Sequence, residues 1–328
     1  MARIGSWWRT LALTLVAAAL TGCVVISPFG GHDDALRETT VEGEGQAKIL
    51  WLPVSGFISD APSQHTFGLV TQPSTLATVS RALDKAEKDD AIKAVVLRIN
   101  SPGGTVSAAD EIYARIRRYH ETTGVPVVAS FGGLAASGGY YIAMAANTII
   151  AQPTTVTGSI GVIILGVNAT GLMAKLGLEN QSYTSGPHKD IMSPLRQARP
   201  DEQAIVQRVV DSLYGRFVSV VEAGRPTLAR DHLDEITDGR IFAADDALRL
   251  GMVDQIGHID DVLALARREA GVDEARIVRY YRGQSAPATL LADSMARGGL
   301  DFKAAGVPID LSVDAAAGPQ PLYLWRPN

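Results

Sequence analysis

The chain has 328 residues, of which 46% are hydrophobic and 20% are charged, and its formal net charge is −5. This composition is typical of a globular protein and excludes a wholly disordered or fibrous chain. No block of basic residues is long enough to follow a phosphate backbone, so we expect no nucleic-acid partner. The single cysteine, Cys23, excludes an intramolecular disulfide and a multi-cysteine metal site.

Residues 1–22 have the features of a secretory signal. They contain Arg3 and Arg9, no acidic residue, and an apolar run over 11–20. That run is shorter than the ~20 apolar residues that a membrane span needs. Leu-Thr-Gly-Cys at 20–23 resembles the lipobox of bacterial lipoproteins, which implies cleavage before Cys23 and lipidation of its thiol. We therefore expect an exported lipoprotein that its acyl chains attach to a membrane.

The chain after the signal divides into three parts. Residues 23–47 carry the lipidated cysteine and several glycines and acidic residues, which predicts a flexible tether. Residues 48–285 form the predicted catalytic body. Residues 286–328 form a C-terminal extension, where glycine, proline and alanine are frequent and hydrophobic periodicity is weak.

Strand and helix patterns alternate along the body. The strands are predicted at 49–54, 94–99, 126–131, 148–151 and 160–164, and the helices at 74–87, 106–119, 137–146, 169–176, 201–222 and 258–270. The run at 94–99 is nearly all apolar, which is typical of a strand buried on both faces. This alternation predicts an α/β fold of stacked units around a parallel sheet.

Three glycine-rich motifs follow strand-like runs, at 100–104, 136–140 and 157–161. Each alone is compatible with a tight turn, but ligands also bind at strand ends in parallel sheets. In the second motif, Ser137 lies between alanine and glycine at the start of a predicted helix, as an accessible nucleophile would. The N–H of Gly138 is a natural oxyanion donor, and consecutive Gly103 and Gly104 offer another.

A nucleophilic serine needs a base, and two adjacent residues are candidates. His188 and Lys189 lie together in the loop Ser-Gly-Pro-His-Lys-Asp at 185–190. The other five histidines occupy positions typical of the tether or the surface. The residue pattern alone leaves both bases open.

Four motifs together, at 100–104, 135–141, 157–162 and 185–194, resemble the signal peptide peptidase A family in its short, single-domain form. The resemblance covers residues 48–285. It implies a ClpP/crotonase-like fold of stacked ββα units with C-terminal helices. It also implies a membrane-associated serine endopeptidase that degrades residual signal peptides and other exported peptides, without a metal or other cofactor.

The same resemblance implies residue roles. Ser137 corresponds to the nucleophile, Lys189 to the general base, and Ser159 to the serine that hydrogen-bonds the lysine amine. Gly138, with Gly103 or Gly104, corresponds to the oxyanion hole. Family members form homo-oligomers with inward-facing active sites, and we expect the exposed face of the helix at 201–222 to be a contact.

A lysine base must be uncharged to accept a proton, so activity should rise toward alkaline pH. A carboxylate beside the amine would favour its charged form, so we expect Asp190 to turn away from Lys189.

The residue after the cysteine is Val24 rather than aspartate, which favours the outer over the inner membrane, facing the periplasm or the cell exterior. The alternatives are a hydrolase with His188 as base, a crotonase-type acyl-CoA enzyme, and a catalytically idle lipoprotein scaffold.

Overall fold

The computed structural model describes residues 35–65, 70–283, 286–291 and 321–325. The predicted signal segment, Cys23 and most of the C-terminal extension lie outside the described residues. Among the residues that are described, no helix is both long and apolar enough to cross a membrane. From Leu36 onward the chain forms one compact unit.

Strands and helices alternate through the described ranges. The strands are β1 (Arg37–Glu42), β2 (Lys48–Ser55), β3 (Ser63–His65), β4 (Val70–Gln72), β5 (Ile92–Ser101), β6 (Gly103–Thr105), β7 (Val127–Ala136), β8 (Thr148–Ala151), β9 (Val156–Gly158), β10 (Ile163–Ile164), β11 (Ile241–Ala243), β12 (Gln255–Ile256), β13 (Arg276–Tyr281) and β14 (Pro321–Leu324). The helices are α1 (Thr75–Ala86), α2 (Val106–Thr123), α3 (Gly138–Ala143), α4 (Thr170–Leu176), α5 (Pro200–Gly224), α6 (Arg230–Ile236), α7 (Ala244–Arg249) and α8 (Ile259–Ala270).

The main sheet has the strand order β1-β13-β2-β5-β7-β8-β12, and β9 joins β7 while β11 joins β9. Strands β13, β2, β5, β7, β8 and β12 are mutually parallel, whereas β1 is an antiparallel edge strand. The helices between the parallel strands make the crossovers that such a sheet requires. The predicted α/β class with a parallel sheet is therefore confirmed.

The sheet is buried on both faces, because successive side chains of a strand point to opposite sides. On β5, Val95, Leu97 and Ile99 contribute to the larger core, which also takes in buried side chains of α1, α2 and α3. Ala94 and Val96 face the smaller core, to which α8 contributes Val262, Leu263 and Leu265. This two-sided burial explains why the run at 94–99 is nearly all apolar.

The structure contains strands β3, β4, β6 and β11–β14 and helices α6 and α7, which the sequence analysis did not predict. It also differs at two segments to which the sequence analysis gave another structure. Residues 37–42, placed in the flexible tether, form the edge strand β1, which pairs with β13. Their side chains are exposed or half-buried, so the sequence has no apolar alternation to reveal the strand. The strand predicted at 160–164 is replaced by β9 and the short β10, with a turn between them at Ser159, where φ is 51°.

The carboxyl ends of three neighbouring parallel strands meet at one edge of the sheet. In the pairing of β5 with β7, Ser101 is opposite Ala135, and in the pairing of β7 with β9, Ala136 is opposite Gly158. The three glycine-rich motifs begin at these strand ends. The topology therefore brings together three segments, of which the first and the third begin 57 residues apart along the chain.

Candidate active site

Ser137 forms the junction between β7 and α3. Its backbone has φ 51° and ψ −115°, a region that residues with a Cβ seldom adopt. Its side-chain oxygen is buried and has no hydrogen-bond partner in the part of the chain that the structure describes. A strained serine at a sharp strand-to-helix turn is the arrangement of a nucleophile elbow. Its buried, unpaired hydroxyl marks it as a reactive group rather than a structural one.

The glycines that follow Ser137 allow close backbone packing. A Cβ on Gly139 would lie 3.0 Å from the Ser101 carbonyl oxygen, and a Cβ on Gly138 would lie 3.2 Å from the Gly104 nitrogen. The β5–β6 loop and the start of α3 are therefore in direct contact. Side chains at either glycine would separate the two backbones that supply the candidate oxyanion donors.

The two glycines of the first motif are not equivalent. The N–H of Gly103 donates to the Ser101 hydroxyl at 3.0 Å, and that hydroxyl donates to the Gly56 carbonyl at 2.6 Å. The Gly103 donor is thus used within its own loop. This geometry favours Gly104 over Gly103 as the partner of Gly138 in an oxyanion hole, a choice that the sequence leaves open.

Ser159 follows Gly158, the residue whose carbonyl is hydrogen-bonded to the backbone of Ser137. The N–H of Ser137 donates to the Gly158 carbonyl at 2.7 Å, and the N–H of Ser159 donates to the Arg240 carbonyl at 2.7 Å. The turn at Ser159 is therefore anchored on both sides. The structure brings Ser137, Ser159, Gly104 and Gly138 to one place.

Lys189 does not complete this site within the same chain. It lies on an exposed segment, and the Ser137 hydroxyl, which has no partner among the described residues, receives no hydrogen bond from the Lys189 amine. We call residues 165–199, which include α4 and Lys189, the arm. Helix α4 has no buried residue. The base-bearing part of the chain thus extends away from the protein core.

Arg196 holds the loop around Lys189 through a two-carboxylate clamp. It donates to both oxygens of Asp190, at 2.7 and 2.6 Å, and to both oxygens of Glu202, at 2.7 and 2.6 Å. These bonds lower the pKa of Asp190, and with the Arg199 N–H they lower the pKa of Glu202 to about 2. The Asp190 carboxylate is therefore engaged by Arg196, in agreement with the expectation that it turns away from Lys189.

His188 is held by the same region. Its ring Nδ1 lies 3.1 Å from Arg199 Nη2, and its side chain is partly exposed. This contact leaves it, like Lys189, without a hydrogen bond to Ser137. A cavity of about 310 Å³ between the arm and α5 is lined by apolar side chains such as Ile191, Met192 and Val206 and by polar ones such as Arg196 and Glu202.

The sequence analysis missed Arg196 and Glu202. Their side chains meet because Glu202 lies in the first turn of α5, where it also accepts from the Arg199 N–H at 3.0 Å. An acidic residue at such a position is usually explained by helix capping alone, so the sequence carries no signal for the clamp. Across the described ranges, no group of three or more His, Cys, Asp or Glu side chains is arranged to hold a metal ion.

Comparison with known proteins places this geometry in a family. The model of peptidase family S49 matches residues 120–273. A protein of Enterococcus faecium named as a signal peptide peptidase SppA is 37% identical over 252 residues, which cover 77% of this chain and 72% of that protein. A protein of Synechocystis sp. named as protease slr0021 is 40% identical over 263 residues, covering 77% of this chain and 91% of the other. The chain belongs to peptidase family S49. It is an SppA-type serine peptidase.

Other relatives of this S49 peptidase agree. The chloroplastic serine protease SPPA of Arabidopsis thaliana is 30% identical over 253 residues, which cover 76% of this chain and 36% of that protein. The Clp protease model matches residues 70–157, the part that contains β5, β7 and Ser137, which confirms the ClpP/crotonase-like fold. Membership of this peptidase family argues against two of the alternatives, the crotonase-type acyl-CoA enzyme and the catalytically idle scaffold.

The Arg196 clamp makes the stability of the loop around Lys189 depend on pH. Both carboxylates have lowered folded-state pKa values, so their stabilising contribution is present above pH ~4 and is lost as pH falls toward about 2. We expect Arg196→Met to remove this pH dependence and to weaken backbone amide protection over residues 186–202 at pH 7. Hydrogen exchange of that segment at pH 2.5, 4 and 7 measures both effects.

Arg208→Met is the matched control, because Arg208 is an exposed arginine on the same helix α5. It should leave the exchange pattern of the segment unchanged. Equal protection in the Arg196→Met variant and the wild type at pH 7 would contradict a role for Arg196 in holding the loop.

Proposed function

We propose that this S49 peptidase is a membrane-attached endopeptidase that degrades residual signal peptides and other exported peptides with a Ser137–Lys189 dyad. The observation that carries the proposal is the Ser137 hydroxyl, buried, without a partner among the described residues, and held in a strained backbone conformation beside the glycines of two other strand ends. The names of its relatives support peptides of the export pathway as substrates.

In the proposed reaction, the Ser137 oxygen attacks the scissile carbonyl carbon while its proton passes to the neutral Lys189 amine. The N–H groups of Gly104 and Gly138 hold the developing oxyanion, and one such donor typically contributes ~3–4 kcal/mol to the transition state. Lys189 then gives the proton to the leaving amine. In the second half, it takes a proton from the water that attacks the acyl-enzyme, and it gives this proton to the Ser137 oxygen as the ester bond breaks. Ser159 orients the lysine amine.

We further propose that Lys189 reaches Ser137 of a neighbouring copy. The reaction needs an amine at the Ser137 hydroxyl, and the structure of one chain does not supply it. The arm that carries Lys189 also exposes large apolar side chains, as a subunit interface would before assembly. The exposed fractions are 79% for Val167, 61% for Leu172, 63% for Leu176, 57% for Leu178 and 98% for Tyr183.

Helix α5 supports the same assembly. Its buried apolar residues, Phe217, Val220 and Val221, lie in its C-terminal half, whereas Val209 in the N-terminal half is 44% exposed. The apolar residues of this helix thus extend beyond the surface that its own chain covers. A head-to-tail contact that repeats around a closed ring would cover the rest and place one dyad at each interface.

Attachment to the membrane rests on the sequence at Cys23. The lipobox resemblance and the preceding signal segment support lipidation of this thiol, and several acyl chains give stable anchoring. Because Val24 rather than aspartate follows the cysteine, we propose that the protein is anchored in the outer membrane. Anchoring would keep the active sites close to peptides that remain in or near a membrane.

A shared active site predicts complementation between two inactive variants. Ser137→Ala and Lys189→Ala should each lose roughly a thousandfold or more in kcat, since each removes half of the dyad. When the two variants are mixed in equal amounts before assembly, the mixture should recover about a quarter of wild-type activity. One interface in four would then pair an intact serine with an intact lysine. Cleavage of a fluorogenic apolar peptide provides the measurement.

Lys175→Ala is the matched control for this experiment, since Lys175 is another exposed lysine of the arm. It should retain activity alone and give no added recovery in a mixture with Ser137→Ala beyond its own contribution. If native mass spectrometry finds mixed oligomers of Ser137→Ala and Lys189→Ala that remain inactive, the shared dyad is wrong.

The pH dependence of kcat tests the identity of the base. Only an uncharged lysine can accept the Ser137 proton, so kcat should rise toward alkaline pH. A histidine base would instead bring the rate to a plateau near neutral pH, because a free imidazole titrates near pH 6.5. A profile that is flat from pH 6 to 9 would argue against Lys189.

Lipidation predicts a change in where the protein is found. Cys23→Ser should shift the protein from the membrane fraction to the soluble or uncleaved precursor fraction, because the acyl acceptor is lost. The kcat of any processed protein for a soluble peptide should stay the same, since Cys23 is outside the catalytic body. A Cys23→Ser protein that remains processed and membrane-bound contradicts the proposed anchor.

A further inference from the structure

Strand β7 contains two more residues than its neighbour β5 near its carboxyl end. Up to Ile99, which lies opposite Phe131, the two strands pair residue by residue, and the next pair is Ser101 opposite Ala135. Two steps along β5 thus correspond to four steps along β7. The extra length lies in residues 132–134, which we call the bulge. A bulge bends its strand and re-aims the side chains that follow it.

The bulge determines how far along the sheet Ser137 lies. Each residue of a strand advances the chain by ~3.3 Å, so without the two extra residues Ser137 would lie about 6–7 Å farther along the strand direction. This displacement is measured relative to β5 and to Gly104, which follows β5. The bulge therefore sets the distance between the candidate nucleophile and the candidate oxyanion donor.

Asn100 of β5 packs against the bulge and bonds to it. Its side-chain Oδ1 accepts a hydrogen bond from the Leu134 N–H at 3.1 Å. A Cβ on Gly132 would lie 3.1 Å from the same oxygen, so glycine at this position leaves room for the Asn100 side chain. A side chain of β5 thus satisfies a backbone donor of the bulge. Asn100 begins the motif at 100–104, and the proposed reaction does not use it.

Three buried side chains donate to backbone carbonyls within and beside the bulge. The pairs are Arg98 with Phe131 at 3.0 Å, Thr155 with Gly132 at 2.7 Å, and Thr157 with Ala135 at 2.6 Å. Arg98 is only 8% exposed, and its bonds within the described ranges go to this carbonyl and to the Ser130 hydroxyl rather than to a carboxylate. Burying a cation without a carboxylate is unfavourable, so stability alone does not explain an arginine here.

We propose that Asn100, together with Arg98 on the same strand, is a positioning residue that holds the bulge of β7 and thereby places the Ser137 hydroxyl beside Gly104. The proposal rests on the proposed role of Ser137 as nucleophile. Asn100 acts through the backbone of β7 and not on the reacting atoms. Its loss therefore lowers the rate of attack and leaves peptide binding unchanged.

Asn147 provides a matched control at the other end of the same strand. Its Oδ1 accepts from the N–H of Val127, the first residue of β7, at 2.8 Å, and it is an exposed residue like Asn100. Asn147→Ala and Asn100→Ala thus remove the same kind of bond from one strand. Only Asn100→Ala does so close to Ser137.

We expect Asn100→Ala to lower kcat for a fluorogenic peptide about ten- to a hundredfold, with KM unchanged, because a misplacement of about 1 Å can slow a reaction by this factor. Asn147→Ala should leave kcat close to that of the wild type. Asn100→Asp should restore most of the lost rate, since a carboxylate oxygen also accepts the Leu134 N–H. Arg98→Met should act in the same direction as Asn100→Ala, and if it does not fold, the Asn100 variants decide.

Hydrogen exchange measures the bulge independently of activity. In Asn100→Ala, exchange should become faster over residues 132–137 and stay unchanged over 101–106, where the oxyanion loop lies. In Asn147→Ala, it should become faster around Val127 instead. Unchanged exchange over 132–137 in Asn100→Ala would overturn the proposal. So would a lower subunit number of this variant in native mass spectrometry, because lost assembly would then explain the lost rate.

A fluorophosphonate probe separates the positioning role from the role of Ser137 itself. In the wild type, peptide mapping should find the label on Ser137, and labelling should be about ten- to a hundredfold slower in Asn100→Ala. A label on another residue would overturn the proposed nucleophile, and the positioning role with it. Labelling of Ser137 at the same rate in Asn100→Ala and the wild type, or equally slow labelling in Asn147→Ala, would overturn the positioning role alone.

Discussion

The structure depends on one strained residue. Ser137 adopts φ 51° because β7 ends and α3 begins within a single step, and its neighbours on both sides are too small to oppose that turn. The strain persists because the surrounding backbone determines it, through the bond from the Ser137 N–H to the Gly158 carbonyl and the close approach of Gly139 to Ser101. The ends of β5, β7 and β9 thus together hold the Ser137 hydroxyl in position.

The nucleophile and the base have opposite environments. Ser137 is embedded in the main core, whereas Lys189 lies on an arm with exposed apolar side chains and a helix that buries nothing. In the proposed assembly, a lone chain would lack a base at Ser137, and a neighbouring copy would supply it. The Arg196 clamp contributes to this arrangement, because it binds the Asp190 carboxylate and fixes the conformation of the exposed loop that carries Lys189.

The loop after β5 continues into β6, which forms one edge of a second, three-stranded sheet. Strand β14 lies on that edge in the structure, with Tyr323 packed against Tyr141 and Phe217. Helix α5 supplies Phe217 to this packing and also carries the exposed Val209, so one helix contributes to the aromatic contacts and to the proposed subunit contact.

The sequence by itself determined the parallel α/β fold, because long apolar strands and amphipathic helices bury their surfaces through local periodicity. It also located the three glycine motifs and Ser137, since their residue types are tied to tight turns and to nucleophilic chemistry. The edge strand β1, the Arg196 clamp and the placement of strand β14 had no such local signal. Only the tertiary structure decided that Gly103 uses its N–H within its own loop, that Lys189 lies apart from Ser137, and that Tyr323 lies beside it. These are contacts between segments distant in the chain, and their geometry is set by packing rather than by the pattern of neighbouring residues.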